Sequence, residues 1–307
     1  MNSYGNSVLN RAKNTSENTD EWYTPYNIVE EEVEHFKEYF KGKSVLCNCN
    51  DGFYTSAFGQ YFRRNFHELG LRKLVCVSMN GNRGYVEEMT RQYDGFYSIE
   101  SGDFRSQWCV ELLEDCDIVC TNPPFSLFIP LFNLIMEKRK KFLLICNQNA
   151  ITYKDIFPYI QRDEVWIGNK FGNMAFRVPD DTEPRATRYW VDETGQKWRS
   201  IGNAMWLTNI TPPVSQKLIL TERYDKERYR RYDNYDAIEV SKVADIPMDY
   251  NGVMGVPITY IRYHGGTDFN IVGIASHGGD SKYDLFKPTI DGKQKFKRLL
   301  IKRKDVL

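Results

Sequence analysis

The chain lacks any apolar run approaching the ~18 residues that a membrane-crossing helix needs. Its first twenty residues (MNSYGNSVLNRAKNTSENTD) hold no apolar stretch of the kind that heads a secretory leader. Membrane and exported classes are therefore set aside, and a cytoplasmic location is expected. An excess of one charge is also missing. Forty-one Lys and Arg oppose 41 Asp and Glu, so binding of nucleic acid has to rest on local basic patches. The seven cysteines are odd in number, and most stand in apolar runs, as Cys76, Cys120 and Cys146 do. That usage argues for reduced, buried thiols and against a disulfide scaffold. Cys47 and Cys49 have no second pair at ligand spacing, and the four histidines at 35, 67, 264 and 277 are scattered, so no metal is expected. No Gly-x-Gly-x-x-Gly occurs, which weighs against a nicotinamide site. Gly42-Lys43-Ser44 echoes the end of a phosphate-binding loop, but Lys37 stands where that loop has its first glycine, and a strand follows instead of preceding it.

What is present points to a folded α/β protein. Aromatics make up 14% of 307 residues, which excludes disorder for most of the chain, and the length suits one large domain with a smaller appendage. Residues 1–20 are polar and aperiodic and read as a mobile tail. Thr24 and Pro25 suit the cap and first position of a helix that carries Glu30, Glu31 and Glu32 early and reaches Phe40, with Gly42 beyond it. Apolar runs at 44–48, 73–79, 95–100, 117–121 and 141–147 predict strands. Between them, helical spacing covers 57–69, 105–114, 127–138 and 151–160. Such alternation predicts a doubly wound, mainly parallel sheet. After about residue 175 the texture becomes polar and Gly/Pro-punctuated, with short strands at 204–208, 258–262, 269–274 and 298–301. The expected organisation is a tail (1–20), an α/β catalytic domain (21–175) and a smaller second region (176–307).

The informative segment follows the fourth of these strands, where Asn122-Pro123-Pro124-Phe125 leads into a helix. Ligands of doubly wound sheets bind beyond strand carboxyl ends. Two successive prolines offer no N–H and cannot extend a strand, so they build a stiff loop. That loop presents two acceptors, the Asn122 side-chain oxygen and the Pro123 carbonyl, beside the Phe125 ring. The set suits a planar base that carries an exocyclic amine: two N–H bonds accepted, one face stacked. Stacking on an aromatic is worth about 1–3 kcal/mol. Thr211-Pro212-Pro213-Val214 repeats the diproline without the acceptor or the ring. Cytosine C5 chemistry would need a cysteine nucleophile in a Pro-Cys dipeptide, and the chain has none.

Asn-Pro-Pro-Phe in this position resembles motif IV of the amino-methyltransferases that act on adenine N6. Longer segments are similar to the EcoRI-type adenine-specific DNA methyltransferase family: LCNCND at 46–51, SGDF at 101–104, DIVCTNPPFSLF at 117–128, NAITYKDIFP at 149–158, GNAMWLTN at 202–209 and NGVMGVPITY at 251–260. The resemblance runs from about residue 20 to near the C-terminus. It implies a Rossmann-like methyltransferase fold, S-adenosylmethionine as the methyl source and no metal. Asn122, Pro123 and Phe125 become the catalytic set that holds a flipped adenine. Cofactor contacts are implied at Thr24, Asn48, Asn50, Asp51, Asp103 and Phe104. The turn after strand one has one glycine, Gly52, where relatives of this fold have several. Strand two ends in Ser78-Met79-Asn80 without the usual ribose-binding acid.

The partner so implied is double-stranded DNA, read by a target-recognition region within 176–307. Basic stretches there suggest Arg223, Arg228, Arg230, Arg231, Lys297 and Arg298 as phosphate contacts. One chain suffices for the chemistry, so a monomer is expected, with any restriction endonuclease working alongside it without a stable complex. Alternatives at this stage are an inactive DNA-binding protein of the same fold, or a methyltransferase acting on cytosine N4, RNA or a protein amide. Transfer assays on these substrates, and binding of S-adenosylmethionine, separate them.

Overall fold

Nearly continuous apolar runs make strands that are buried on both faces, and four of them form the centre of the large sheet. In chain order the strands are β1 (Ser44–Cys47), β2 (Lys73–Asn80), β3 (Arg83–Thr90), β4 (Asp94–Ile99), β5 (Ile118–Thr121), β6 (Lys141–Asn147), β7 (Trp166–Phe171), β8 (Met174–Arg177), β9 (Tyr189–Val191), β10 (Lys197–Ile201) and β11 (Ala204–Thr208). In this computed structural model the described residues are 23–49, 51–81, 83–178, 180, 182–184, 187–211, 217–275 and 287–304. The expected tail at 1–20 and Asn50 lie outside them. The large sheet has the order β4-β3-β2-β1-β5-β6-β11-β7. Strands β2, β1, β5 and β6 are parallel. Strands β3, β4 and β11 pair antiparallel at the flanks.

Helices α1 (Tyr26–Glu34), α2 (Ala57–Arg64), α3 (Gln107–Asp115) and α4 (Phe128–Glu137) cover this sheet. Val29 and Val33 of α1 and Phe58 and Phe62 of α2 share a core with Val45, Leu74, Ile118, Leu143 and Trp206. Alternate strand residues point the other way. There Phe132 of α4 meets Phe142 edge-on, with ring centroids 5.7 Å apart. The sheet is thus wound on both faces, as the alternation predicts. Under it, Cys76, Cys47 and Cys120 sit on β2, β1 and β5, and all seven cysteines are free.

Several expectations need correction. The segment at 95–100 is the outer arm of an antiparallel β3–β4 hairpin, not a parallel third strand, and β3 was not anticipated. Its burial is confined to Gly84 and Val86, too little for a periodic signal. Helix α1 stops at Glu34, and the rest, Lys37–Phe40, is a 3-10 turn. Pro25, not Thr24, holds the cap position of α1. The expected helix at 151–160 is two pieces, a 3-10 turn Gln148–Thr152 and α5 (Phe157–Gln161). Pro158 can stand only in a helix's first turn, so α5 starts just before it. The expected strand at 258–262 is a 3-10 segment, Ile258–Gly266.

The chain divides into two compact units, Met1–Gln148 with Gly168–Pro212, and Asn149–Ile167 with Pro213–Leu307. The second unit carries β12 (Ile238–Glu239), β13 (Met254–Pro257), β14 (Phe269–Ala275), the two-residue strands β15 (Thr289–Ile290) and β16 (Lys293–Gln294), and β17 (Arg298–Arg303). Its main sheet runs β12-β13-β17-β14.

Within the first unit, Glu32 is fully buried and accepts the backbone N–H groups of Asn169 (2.7 Å) and Lys170 (2.9 Å), fastening α1 to β7. It therefore braces the sheet from inside. Desolvation outweighs these bonds and pushes its carboxyl up to about 7 from an ordinary 4.5. The folded state then binds more protons than the unfolded one between those values, so this group makes stability fall as pH rises from about 4.5 to 7. Glu32→Gln should flatten that part of a urea-unfolding pH profile, and an unchanged profile would refute the assignment. A Cβ on Gly168 would lie 2.1 Å from Glu32 Oε1 and 2.6 Å from Trp206 Cβ. Gly168→Ala should accordingly cost about 1–3 kcal/mol through overpacking, read as a lowered urea midpoint at unchanged m-value.

Candidate active site

Strand β1 has β2 on one side and β5 on the other, which makes its carboxyl end the point where the chain's connections part. Such points hold ligands in open α/β sheets. The segments following β1, β2, β4 and β5, with the chain just before α1, line a cavity of about 600 Å³, an ordinary size for a small-molecule site.

After β1, Asn48 and Asp51 are both buried. The Asp51 backbone N–H donates to Val77 O (3.0 Å). Its carboxylate accepts the Thr121 hydroxyl at 2.7 Å. Burial outweighs this bond and pushes the Asp51 carboxyl up to about 6. Where related folds use several glycines, this loop is tied down by side chains. Phe53 N–H donates to Glu87 Oε2 at 2.7 Å. Ser56 caps α2 by accepting from Gly59 N (3.0 Å). A Cβ on Gly59 would lie 2.1 Å from Gly52 O, so only glycine lets the loop rest on the helix. Thr55, Ser56, Ala57 and Phe58 bring the first turn of α2 to the cavity wall. Its leading N–H groups make that turn a place for an anionic group.

At the carboxyl end of β2 the wall is Ser78 and Met79, with Gly81 just beyond the strand. Asn80 pairs with Arg83 across the hairpin and is not part of the lining. After β4 it is Gly102, Asp103 and Phe104. The Asp103 carboxylate accepts the Arg105 guanidinium at 2.9 and 2.5 Å and the Arg105 backbone N–H. The Arg105 bonds hold its carboxyl below the usual range, so it is an ionised acceptor at neutral pH. The guanidinium lies over the Phe104 ring, 5.4 Å from its centroid.

After β5 come Asn122, Pro123, Pro124, Phe125 and Leu127. Asn122 Nδ2 donates to Thr24 Oγ1 at 3.1 Å. Thr24 is positioned by Tyr23, whose backbone forms a reciprocal pair of 3.0 Å hydrogen bonds with Arg177. Thr24, Asn48, Asp51, Asp103, Phe104, Asn122, Pro123 and Phe125, all singled out from sequence, thus line one cavity. Sequence reasoning missed Glu87, Ser56, Thr121 and Tyr23. Glu87 comes from the unanticipated hairpin and carried no signal. Thr121 stood next to the motif and could have been suspected.

The six basic residues expected at DNA lie in the second unit, and each is already engaged. Arg223 stands 4.0 Å from Asp249, Arg228 pairs with Glu222 and Asp245, Arg230 with Asp291 and Arg231 with Asp236. Lys297 is half-buried and donates to Thr152 Oγ1 at 3.0 Å. Arg298 is corrected outright. It is 8% exposed, forks onto Glu239 at 2.6 and 3.2 Å, and shares that carboxylate with the Tyr232 hydroxyl. It is an internal tie of the second unit, not a surface cation.

A profile of the family described as adenine-specific methyltransferase EcoRI matches residues 8–100 and 87–304. The Type II methyltransferase M.EcoRI of Escherichia coli is 39% identical, over 97% of this chain and 97% of that protein. Two mycoplasma proteins are similar over comparable lengths. M.MpnI of Mycoplasma pneumoniae is 33% identical over 96% of this chain and 98% of its own, and M.MgeORF184P of Mycoplasma genitalium is 32% identical over 97% and 99%. The central parallel strands, helices on both faces, a side-chain-tied cavity at the carboxyl end of β1 and these near full-length matches agree: the chain belongs to the EcoRI family of adenine-specific methyltransferases.

Proposed function

We propose that the protein transfers a methyl group from S-adenosylmethionine to N6 of an adenine flipped out of a short specific sequence in double-stranded DNA. The observation that carries this reading is the Asn122–Phe125 loop, lining the same cavity as Asp51 and Asp103.

The residues present fit the cofactor. The first turn of α2 suits a carboxylate, the ionised Asp103 beside Phe104 suits an aminopurine, and the buried Asp51 suits a cation. When bound, S-adenosylmethionine supplies the methyl electrophile and leaves as a neutral thioether. Thr24, Asn48, Asp51, Asp103 and Phe104 are the residues we assign to holding it, with Asn50 added from the family resemblance. The chain's own contribution is to make adenine N6 a nucleophile. Its lone pair is delocalised into the ring. Two acceptors, Asn122 Oδ1 and the Pro123 carbonyl, draw its hydrogens toward tetrahedral geometry and stabilise the positive charge that develops on nitrogen. One of those protons then passes to water, and no strong general acid is required. Thr24 anchors the Asn122 amide through its donor end, Nδ2, the end the amine does not need. Phe125 stacks on the base, offsetting part of the few kcal/mol that flipping costs. One chain supplies every role, so the working unit is a monomer, and a restriction endonuclease with the same recognition sequence would act separately.

Modification-sensitive sequencing of plasmid from a methylation-free bacterial host tests this. Wild type should place N6-methyladenine at one short motif, and Asn122→Ala should abolish it. Methylation surviving in the variant would remove the role given to Asn122, while soluble protein with no modified base would overturn the function. A second test uses pH. Because the Asp51 carboxyl is pushed up to about 6, its negative charge is lost as pH falls through that value, and affinity for the cationic cofactor should drop with it. Calorimetry should show that inflection in wild type and weaker, pH-flat binding in Asp51→Asn. The same inflection in both would refute the role of Asp51.

A further inference from the structure

Strands β8, β10 and β9 form a separate three-stranded sheet with β10 in the middle. Residues directly opposite in an antiparallel pair project from the same face. Trp198 lies opposite both Arg177 and Trp190. Tyr23 bridges to Arg177 from the other edge of β8. Tyr23, Arg177, Trp198 and Trp190 therefore form one row across the sheet. Met174 and Phe176 of β8 are buried in the core of the first unit, so the row, offset from them by one residue, stands on the solvent face. The two indoles are parallel, 5° between planes and 6.2 Å between centroids. The Arg177 guanidinium lies over Trp198, 5.5 Å from its centroid. Trp198 is locked by a 2.7 Å hydrogen bond from Nε1 to Asp192. Trp190 is 42% and Tyr23 51% exposed. Tyr23 is also part of the cavity wall, so the row begins at the rim of the candidate active site.

A fold does not need two tryptophans and a tyrosine in water. Such large, flat, half-exposed rings interleaved with a cation are the chemistry that receives nucleobases and phosphate. Among the described residues no carboxylate pairs with Arg177, in contrast to Arg228, Arg230 and Arg231 of the second unit. Asp192, the carboxylate that holds Trp198, is engaged also by Thr194 and Gln196. Three strand spacings make the row about 15 Å long, the rise of roughly four nucleotides of one strand.

We propose that the Tyr23–Arg177–Trp198–Trp190 row is a DNA-contacting surface that takes the strand segment flanking the flipped adenine, with bases against the rings and a phosphate on Arg177. This rests on the reading of the cavity as the site of methyl transfer. It adds to that reading a contact surface in the first unit, built from Tyr23 and from the opening stretch of the region expected to recognise the target.

The test uses linear plasmid fragments amplified with 5-iododeoxyuridine in place of thymidine, which crosslink under light to rings stacked on the base. Wild-type protein should give crosslinked peptides containing Trp190, Trp198 or Tyr23. Crosslinks confined to other segments would overturn the proposal. In filter binding on the same fragments, Trp190→Ala should raise the DNA Kd about ten-fold. Arg177→Ala should reduce the slope of log Kd against log salt by about one. Both variants should bind S-adenosylmethionine like wild type, which shows the fold intact. Wild-type DNA affinity and salt slope in both would also overturn the proposal, as would equal loss of cofactor binding. Should Trp190→Ala not fold, Trp190→Phe should keep near-normal affinity and the wild-type crosslinks decide. Methyl transfer by wild type to unsubstituted fragments reads the functional assignment separately, so failure of one is not mistaken for failure of the other.

Discussion

Thr121 gives its hydroxyl proton to Asp51 across the boundary between two adjacent parallel strands, at 2.7 Å and out of contact with water. The loop after β1 and the loop after β5 are separated by about seventy residues of chain, yet this bond makes them one rigid piece. Parallel strands cannot be joined by a tight turn, so nothing local enforces the spacing of the two loops. A charged acceptor holding a hydroxyl in a low-dielectric interior does so strongly. The carboxylate is costly to bury, which is why its proton affinity rises. The distance between the proposed acceptor loop and the proposed cofactor wall is set by this contact more than by any glycine turn.

The parts of the fold that were legible are those in which a physical periodicity had no competitor. Val45-Leu46, Ile118-Val119 and Phe142 to Ile145 are buried on both sides and read as uninterrupted apolar runs. The helices between them carry a one-sided pattern. Asn122-Pro123-Pro124-Phe125 was legible because two prolines restrict the backbone whatever surrounds them. Glu87 was not. It sits on a flanking strand whose solvent face is polar, and its value comes from reaching the Phe53 N–H some thirty residues away, a contact with no local signature. Arg298 misled for the opposite reason. A basic run looks the same whether its members face water or, like this one, fork onto a buried Glu239. Ile258 to Arg262 has strand-like composition, but pairing of β13 with β17 ends at Pro257, which has no N–H to continue the ladder.

Equal numbers of acids and bases need not mean a neutral surface everywhere. In the second unit Arg228, Arg230 and Arg231 are each closed by a carboxylate. Any phosphate binding there has to exchange one partner for another, and exposed pairs of this kind are worth little. In the first unit the cation of the aromatic row lies over an indole instead. Arg177 thus differs from these three: its charge is held on a ring and still faces outward.

The three thiols side by side on β2, β1 and β5 lie directly beneath the cavity floor, in the part of the core shared by α1 and α2. Burial lifts the Cys47 and Cys120 thiols far above their ordinary range and raises Cys76 as well. Only the thiolate reacts with electrophiles, so in the native state these sulfurs are chemically silent, and alkylating agents can reach them only through opening of the central strands. The rate at which such a reagent labels them is therefore a clock for that opening, built into the layer on which the site rests and readable without any substrate.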